Sequence, residues 1–218
     1  MPEPGNGRAW PSASPGLGLP DVTKSLYVSA DLPPGRAYQL LTTTVVPRPI
    51  AWVSSMSADG VVNLAPHSFF TVVSTTPPMV SITSVGAKDT LRNVRETGAF
   101  TVSVTTRELT ELVNATSGNY PPQTGEYEAL GIEAEAGALV PIPAVQASPV
   151  RLECRLVETR DYGNCHLIIG EVEAWAIDDE ILDSQGLPDP ARLDPVGKLG
   201  RDDWVHGGQV TSRPRPAF

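Results

Sequence analysis

Lys88, Asp89 and Thr90 stand where strand-forming residues give way to helical spacing, with Ser84 and Gly86 in the approach. Free amides at a helix start, one lysine charge and nearby hydroxyls are what binding of a phosphate monoester requires. Asp89 is expected to cap the helix rather than touch the anion, because its own charge would oppose one. The same residues would also compose an ordinary capped surface helix. Upstream, the run Asn63-Leu64-Ala65-Pro66-His67-Ser68-Phe69-Phe70 ends its alternation at Pro66. A strand that breaks there leaves unpaired amides and carbonyls beside the Asn63 and Ser68 side chains, with two aromatics following. Such a place can read the edge of a planar ring rich in donors and acceptors. Two core phenylalanines after a turn would give the same pattern.

Other chemistries find little support. His67, His166 and His206 are not at zinc spacing to one another, and no GxSxG, HExxH, P-loop or GxGxxG motif is present. Gly16-Leu17-Gly18 lies in a Pro/Gly-rich stretch and does not qualify. Cys154 and Cys165 lack CxxC or histidine-spaced neighbours, so they are expected to be free, reduced thiols, and no metal site is expected. A hairpin turning near Asp161-Tyr162 would set Cys154 opposite Ile169 and Cys165 opposite Glu158. The acidic run from Glu126 to Glu135 reads as a solvated surface.

The elements that must position these residues are mostly strands. The 218 residues suffice for one domain with arms, and 22 prolines with 19 glycines favour strands and turns over long helices. Lysine and arginine total 16 against 25 acidic residues, a formal charge of -9, which repels a phosphodiester backbone and argues against a nucleic-acid partner. No apolar run approaches the roughly 18 residues of a membrane span, and the basic-then-apolar order of a secretory signal is missing. A cytoplasmic protein with no membrane partner is expected. Residues 1–24 read as an N-terminal arm, 25–204 as the domain and 205–218 as a C-terminal arm.

Strands are predicted over Tyr38 to Val46, Ile50 to Ser54, Val61 to Ala65, Met79 to Ser84 and Phe100 to Thr105, with a hairpin turn at Ala58-Asp59-Gly60. Helices are predicted from Lys88 to a stop at Gly98 and from Arg107 to Thr116. Residues 123–146 form an irregular excursion. Ser148 to Val157 and His166 to Ile177 form a hairpin with Glu153, Glu171 and Glu173 on its wetter face, and the chain from Ile181 onward reads as turns and arm. Seven or eight strands with two short helices predict a mainly β, antiparallel barrel with helices over its ends.

Taken together, PRPIAWVSS (47–55), DGVVNLAPHSFF (59–70), PPMVSI (77–82), KDTLRNVRETGAFTVSV (88–104), VNATSG (113–118), GEYEALGI (125–132), SPVRLEC (148–154), LIIGEVEAW (167–175) and VGKLGRDDW (196–204) resemble the flavin reductase-like, FMN-binding split-barrel family, in its flavoredoxin-like branch. The resemblance implies a homodimer of split barrels holding FMN noncovalently. It implies phosphate contacts on Ser84, Lys88, Thr90 and Arg48, and ring contacts on Asn63, Ala65, Ser68, Phe69 and Phe70. Trp204, where relatives often carry tyrosine, would border the substrate side, with His67, Cys165 and His166 as further candidates there. Where many two-component reductases read GDH before the GEV strand, this chain reads Gly163-Asn164-Cys165, with His166 one place later. The implied activity is hydride transfer from NADH or NADPH to FMN, and delivery of the electrons to an acceptor or a partner monooxygenase. An electron carrier that does not use nicotinamides, a pathway-specific FMN oxidoreductase and a flavin-free binding module are the other readings.

Overall fold

The computed structural model describes residues 23–118, 120–121, 124–208 and 210–216. Two compact units divide between Ala37 and Tyr38. In the first, the described residues carry a 3-10 turn at Ser29–Asp31, and the Arg36 guanidinium lies 5.7 Å from the Tyr27 ring centroid. Most of the arm predicted over residues 1–24 falls outside the described residues.

The strands are β1 (Arg48–Pro49), β2 (Ala51–Met56), β3 (Val62–His67), β4 (Phe70–Thr75), β5 (Pro78–Val85), β6 (Ala99–Val104), β7 (Ala134–Glu135), β8 (Ala144–Val145), β9 (Val150–Tyr162), β10 (Cys165–Ile177), β11 (Val196–Lys198) and β12 (Trp204–His206). The helices are α1 (Arg36–Thr44), α2 (Asp89–Thr97), α3 (Thr110–Ala115), α4 (Glu126–Leu130) and α5 (Pro190–Leu193). Seven strands form one antiparallel sheet in the order β3-β2-β6-β9-β10-β5-β4. Its two edges, β3 and β4, are consecutive in the chain and joined only by Ser68 and Phe69. Laid flat, seven strands would hold those edges about 29 Å apart, whereas the link spans at most about 11 Å. The sheet must therefore curl until its edges meet, which makes a barrel split between β3 and β4.

Residues of β2 feed both sides of that curl. Ala51 and Val53 join Val80, Ile82, Leu91, Val94, Phe100, Val102, Cys154 and Ile168 in the barrel core, while Trp52 packs with Ile50, Leu64, Leu109, Val113 and Tyr127 on the other side. Helix α2 turns Leu91 and Val94 onto the core and ends at Gly98, whose φ of 73° lets its amide donate a hydrogen bond to the Val94 carbonyl and close the helix.

The structure corrects several expectations. Tyr38 to Val46 is not a strand but largely α1, because Thr42, Thr43 and Thr44 turn their hydroxyls onto the Tyr38, Gln39 and Leu40 carbonyls one turn back. That arrangement occupies three β-branched residues whose preference otherwise favours strand. Nor does Pro66 break its strand, since β3 runs through to His67. The Leu64 amide points away from β2 to a side chain of α4, so Pro66, two residues on, lacks its donor only toward the free edge.

The hairpin turns at Gly163-Asn164, and Cys154 faces Val172 while Cys165 faces Tyr162. Both cysteines are free. Burial pushes the Cys154 thiol up to about 12. Glu153 is buried rather than on a wet face. Strands β1, β4, β7, β8, β11 and β12 escaped prediction; β11 and β12 add a three-stranded sheet with β1, so the chain after Ile181 is not simply an arm. Among the described residues no helix is long and apolar enough to cross a membrane, and no cluster of His, Cys, Asp and Glu could hold a metal.

Candidate functional site

A cavity of about 430 Å³ opens beside the free edge of β3, within the range typical of small-molecule sites. Asn63, Ala65 and His67 of β3, with Ser68 and Phe69 of the link, form one wall. The end of β5 and the start of α2 form the second, with Ser84, Lys88 and Thr90. Residues of the 116–126 segment form the third, including Thr116, Tyr120, Gly125 and Glu126. Tyr38 stands with Phe69 on the rim, their ring centroids 6.5 Å apart.

The third wall is fastened to the sheet at three points. Trp52 donates its indole hydrogen to Thr116 Oγ1 at 2.8 Å, Ser54 Oγ and the Tyr127 hydroxyl share a hydrogen bond at 2.7 Å, and Glu126 Oε2 accepts the Leu64 amide at 2.7 Å. Glu126 is therefore a buried clasp on the edge of β3, not part of a solvated acidic surface. Burial raises its carboxyl above the usual range; the Leu64 amide and its own amide pull it back, and Asp89 adds to the rise.

Gly125 is required by close approach, because a Cβ there would lie 2.2 Å from the Val62 carbonyl oxygen. Gly125→Ala is expected to push α4 off β3 and destabilise the protein by about 1–3 kcal/mol. Thermal unfolding checks this, and an unchanged midpoint would show that the segment yields freely.

The helix start has the character of an anion site. Lys88 is the N-cap of α2, no side chain caps the first turn, and among the described residues the Lys88 ammonium makes no ion pair. Asp89 does not cap; it pairs with Arg92 at 2.6 Å. Uncapped amides beside an unpaired lysine suit a phosphate monoester. The hydroxyls are already engaged, Ser84 donating to the Gly86 carbonyl at 2.8 Å and Thr90 Oγ1 lying 3.2 Å from both Asn63 Nδ2 and His67 Nε2. Burial, then the Lys88 charge, holds His67 down at about 4, against a hydrogen bond with the Thr83 backbone, so the ring is neutral near pH 7.

Of the residues predicted for the site, Asn63, Ala65, His67, Ser68, Phe69, Ser84, Lys88 and Thr90 share this cavity. The others do not line it. Arg48 is buried and gives its guanidinium to the carbonyls of Thr42, Val45 and Leu199, with Ser68 Oγ at 3.3 Å, so it ties α1 and the segment after β11 to the link. Phe70 turns into the barrel core. Cys165 and His166 lie one strand away on β10, opposite Val85 and Ser84, with His166 Nδ1 2.6 Å from Asp161. Trp204 packs under the Lys198 ammonium at 4.6 Å. Sequence reasoning missed Tyr38, hidden in a supposed strand, and Glu126, hidden in a supposed charge run.

The chain matches the flavin reductase like domain over residues 43–190. A protein of Deinococcus radiodurans is 38% identical over 187 residues, covering 80% of this chain and 82% of the relative. Among solved structures, nitrilotriacetate monooxygenase component B from Bacillus cereus superposes with a TM-score of 0.82 at 27% identity, covering 88% of this chain and 100% of the other. The 2-nitrobenzoate 2-nitroreductase of Pseudomonas fluorescens gives 0.81 at 27% identity, covering 89% and 98%.

Proposed function

Because this chain belongs to the flavin reductase like family, we propose that the cavity binds FMN and that the protein is an FMN-dependent oxidoreductase of the flavin reductase type, working as a homodimer. One observation carries the reading: the uncapped, lysine-bearing start of α2 and the inward face of β3 with Phe69 border a single cavity. Lys88 and the first-turn amides would hold the phosphate. The Asn63 to Phe69 segment would hold the ring, with Phe69 and Tyr38 offering it aromatic surface. FMN supplies the redox chemistry when bound, taking hydride from NADH or NADPH and passing electrons to an acceptor. The protein's part is to fix orientation, exclude water and place donors where charge grows. The naming of the Bacillus cereus structure as a monooxygenase component supports a partner oxygenase as acceptor, and the nitroreductase supports direct reduction of an organic acceptor.

The test is the visible absorption of the purified protein titrated with FMN, followed by anaerobic addition of NADH or NADPH. Binding with rapid bleaching of the flavin band is expected. Bleaching only by a non-nicotinamide, low-potential donor would leave the protein an electron carrier. Lys88→Ala is expected to weaken FMN about tenfold or more while leaving riboflavin unaffected, since only the phosphate contact is lost. Unchanged FMN affinity in that variant would remove the phosphate assignment.

A further inference from the structure

Asn63, Ala65 and His67 alternate onto one face of β3, and the outer two converge on a single atom, Thr90 Oγ1, each at 3.2 Å. Thr90 is 1% exposed and His67 7%. The asparagine amide can only donate through Nδ2, so it occupies a lone pair of the hydroxyl. With the hydrogen of the neutral ring on Nδ1, toward the Thr83 backbone that favours its protonation, Nε2 is left as the acceptor facing Thr90. The one hydrogen of the Thr90 hydroxyl is thus directed at His67, and an anion arriving at the helix start meets a threonine with none to give.

We propose that His67 takes up a proton from solvent when a phosphate monoester binds at the start of α2. Nε2–H then donates to Thr90 Oγ1, and the hydroxyl hydrogen turns to a phosphoryl oxygen. The inference rests on the FMN reading of the cavity. The charged or titratable groups bordering the same space are Lys88, Asp89 and Arg92 of the α2 start and first turn, Glu126 from α4, Tyr120 from the segment after α3 and Tyr38 from α1; β5 presents only the uncharged Thr83, Ser84 and Val85 there. Asp89 and Arg92 neutralise one another. Lys88 is therefore the cation that opposes a second positive charge on the ring, and a phosphate dianion reverses that opposition. FMN affinity becomes pH-dependent while riboflavin affinity does not.

Calorimetric titration of the full chain with FMN and with riboflavin, in two buffers of different ionisation enthalpy, counts the protons. The range is about pH 7 to 8.5, above the second ionisation of the phosphate near 6. Wild type is expected to take up as much as one proton per FMN, with Kd rising toward tenfold per pH unit at the alkaline end, and none with riboflavin. His67→Gln, whose amide donates to Thr90 at every pH, is expected to bind FMN with a flat profile and no uptake. FMN binding without uptake, or equal uptake in His67→Gln or with riboflavin, overturns this inference alone. Failure of FMN to bind overturns the FMN reading and this inference with it.

Discussion

Glu153→Ala is expected to cost the fold about 3–5 kcal/mol, a large part of the stability of an ordinary domain, and to lower the unfolding midpoint by roughly 10–15 °C. The carboxylate is 1% exposed on β9 and accepts the amides of Ala138, Leu139 and Val140 at 2.8, 2.6 and 3.1 Å. Arg151 lies 3.3 Å away and also reaches Glu135 at 2.6 Å. Burial alone would raise the Glu153 carboxyl; the three amides, with Arg151, outweigh it and hold the group below the usual carboxylate range. Its folded value thus lies below its unfolded one, so its contribution is present above about pH 4.3 and is lost as pH falls through the folded value. Truncation leaves three amides without an acceptor and a mostly buried guanidinium with half its counter-charge. Glu153→Gln keeps one acceptor oxygen and should lose less. Urea unfolding of both variants measures this, and a loss below about 1 kcal/mol in Glu153→Ala would show that water replaces the carboxylate.

The same glutamate shows what the sequence conceals. Its neighbours in the chain, Arg151 and Arg155, make it look like one member of an exposed charged face. Its actual partners come from a turn more than ten residues away in the chain, which no local pattern announces. Glu126 was hidden for the same reason: its role depends on which edge of β3 faces it. By contrast, β2, β5, β6, α2 and the long β9–β10 hairpin were legible, because their burial follows periodicity carried by consecutive residues. The lysine at a strand-to-helix junction was legible as well, and the structure sets it at the start of α2 on the cavity wall. The mistaken reading of α1 arose where three threonines favour strand in isolation but bond within a helix, a case of local hydrogen bonding overriding β-branched preference. The division of Phe69 to the cavity and Phe70 to the core follows from alternation, once β4 is known to begin at Phe70.

Acid is expected to weaken the ligand-free protein through His67. Its folded value of about 4 lies below the roughly 6.5 of an unfolded histidine, so between those pH values the unfolded chain binds a proton that the folded one refuses. The contribution is whole above pH 6.5 and is lost as pH falls toward 4, amounting to about 3 kcal/mol over the full interval. Glu126 works in the opposite direction: its raised carboxyl binds a proton more readily when folded, which favours the fold as pH falls. The net curve therefore conceals both, and the comparison with His67→Gln isolates the imidazole. Unfolding free energies in urea at several pH values between 4 and 7 should fall less steeply in that variant than in wild type. Parallel curves would mean that the ring accepts its proton in the folded state. Saturating FMN supplies the complementary result: with a phosphate dianion beside Lys88, protonation of His67 ceases to oppose the fold, and the acid-side loss assigned to it should disappear.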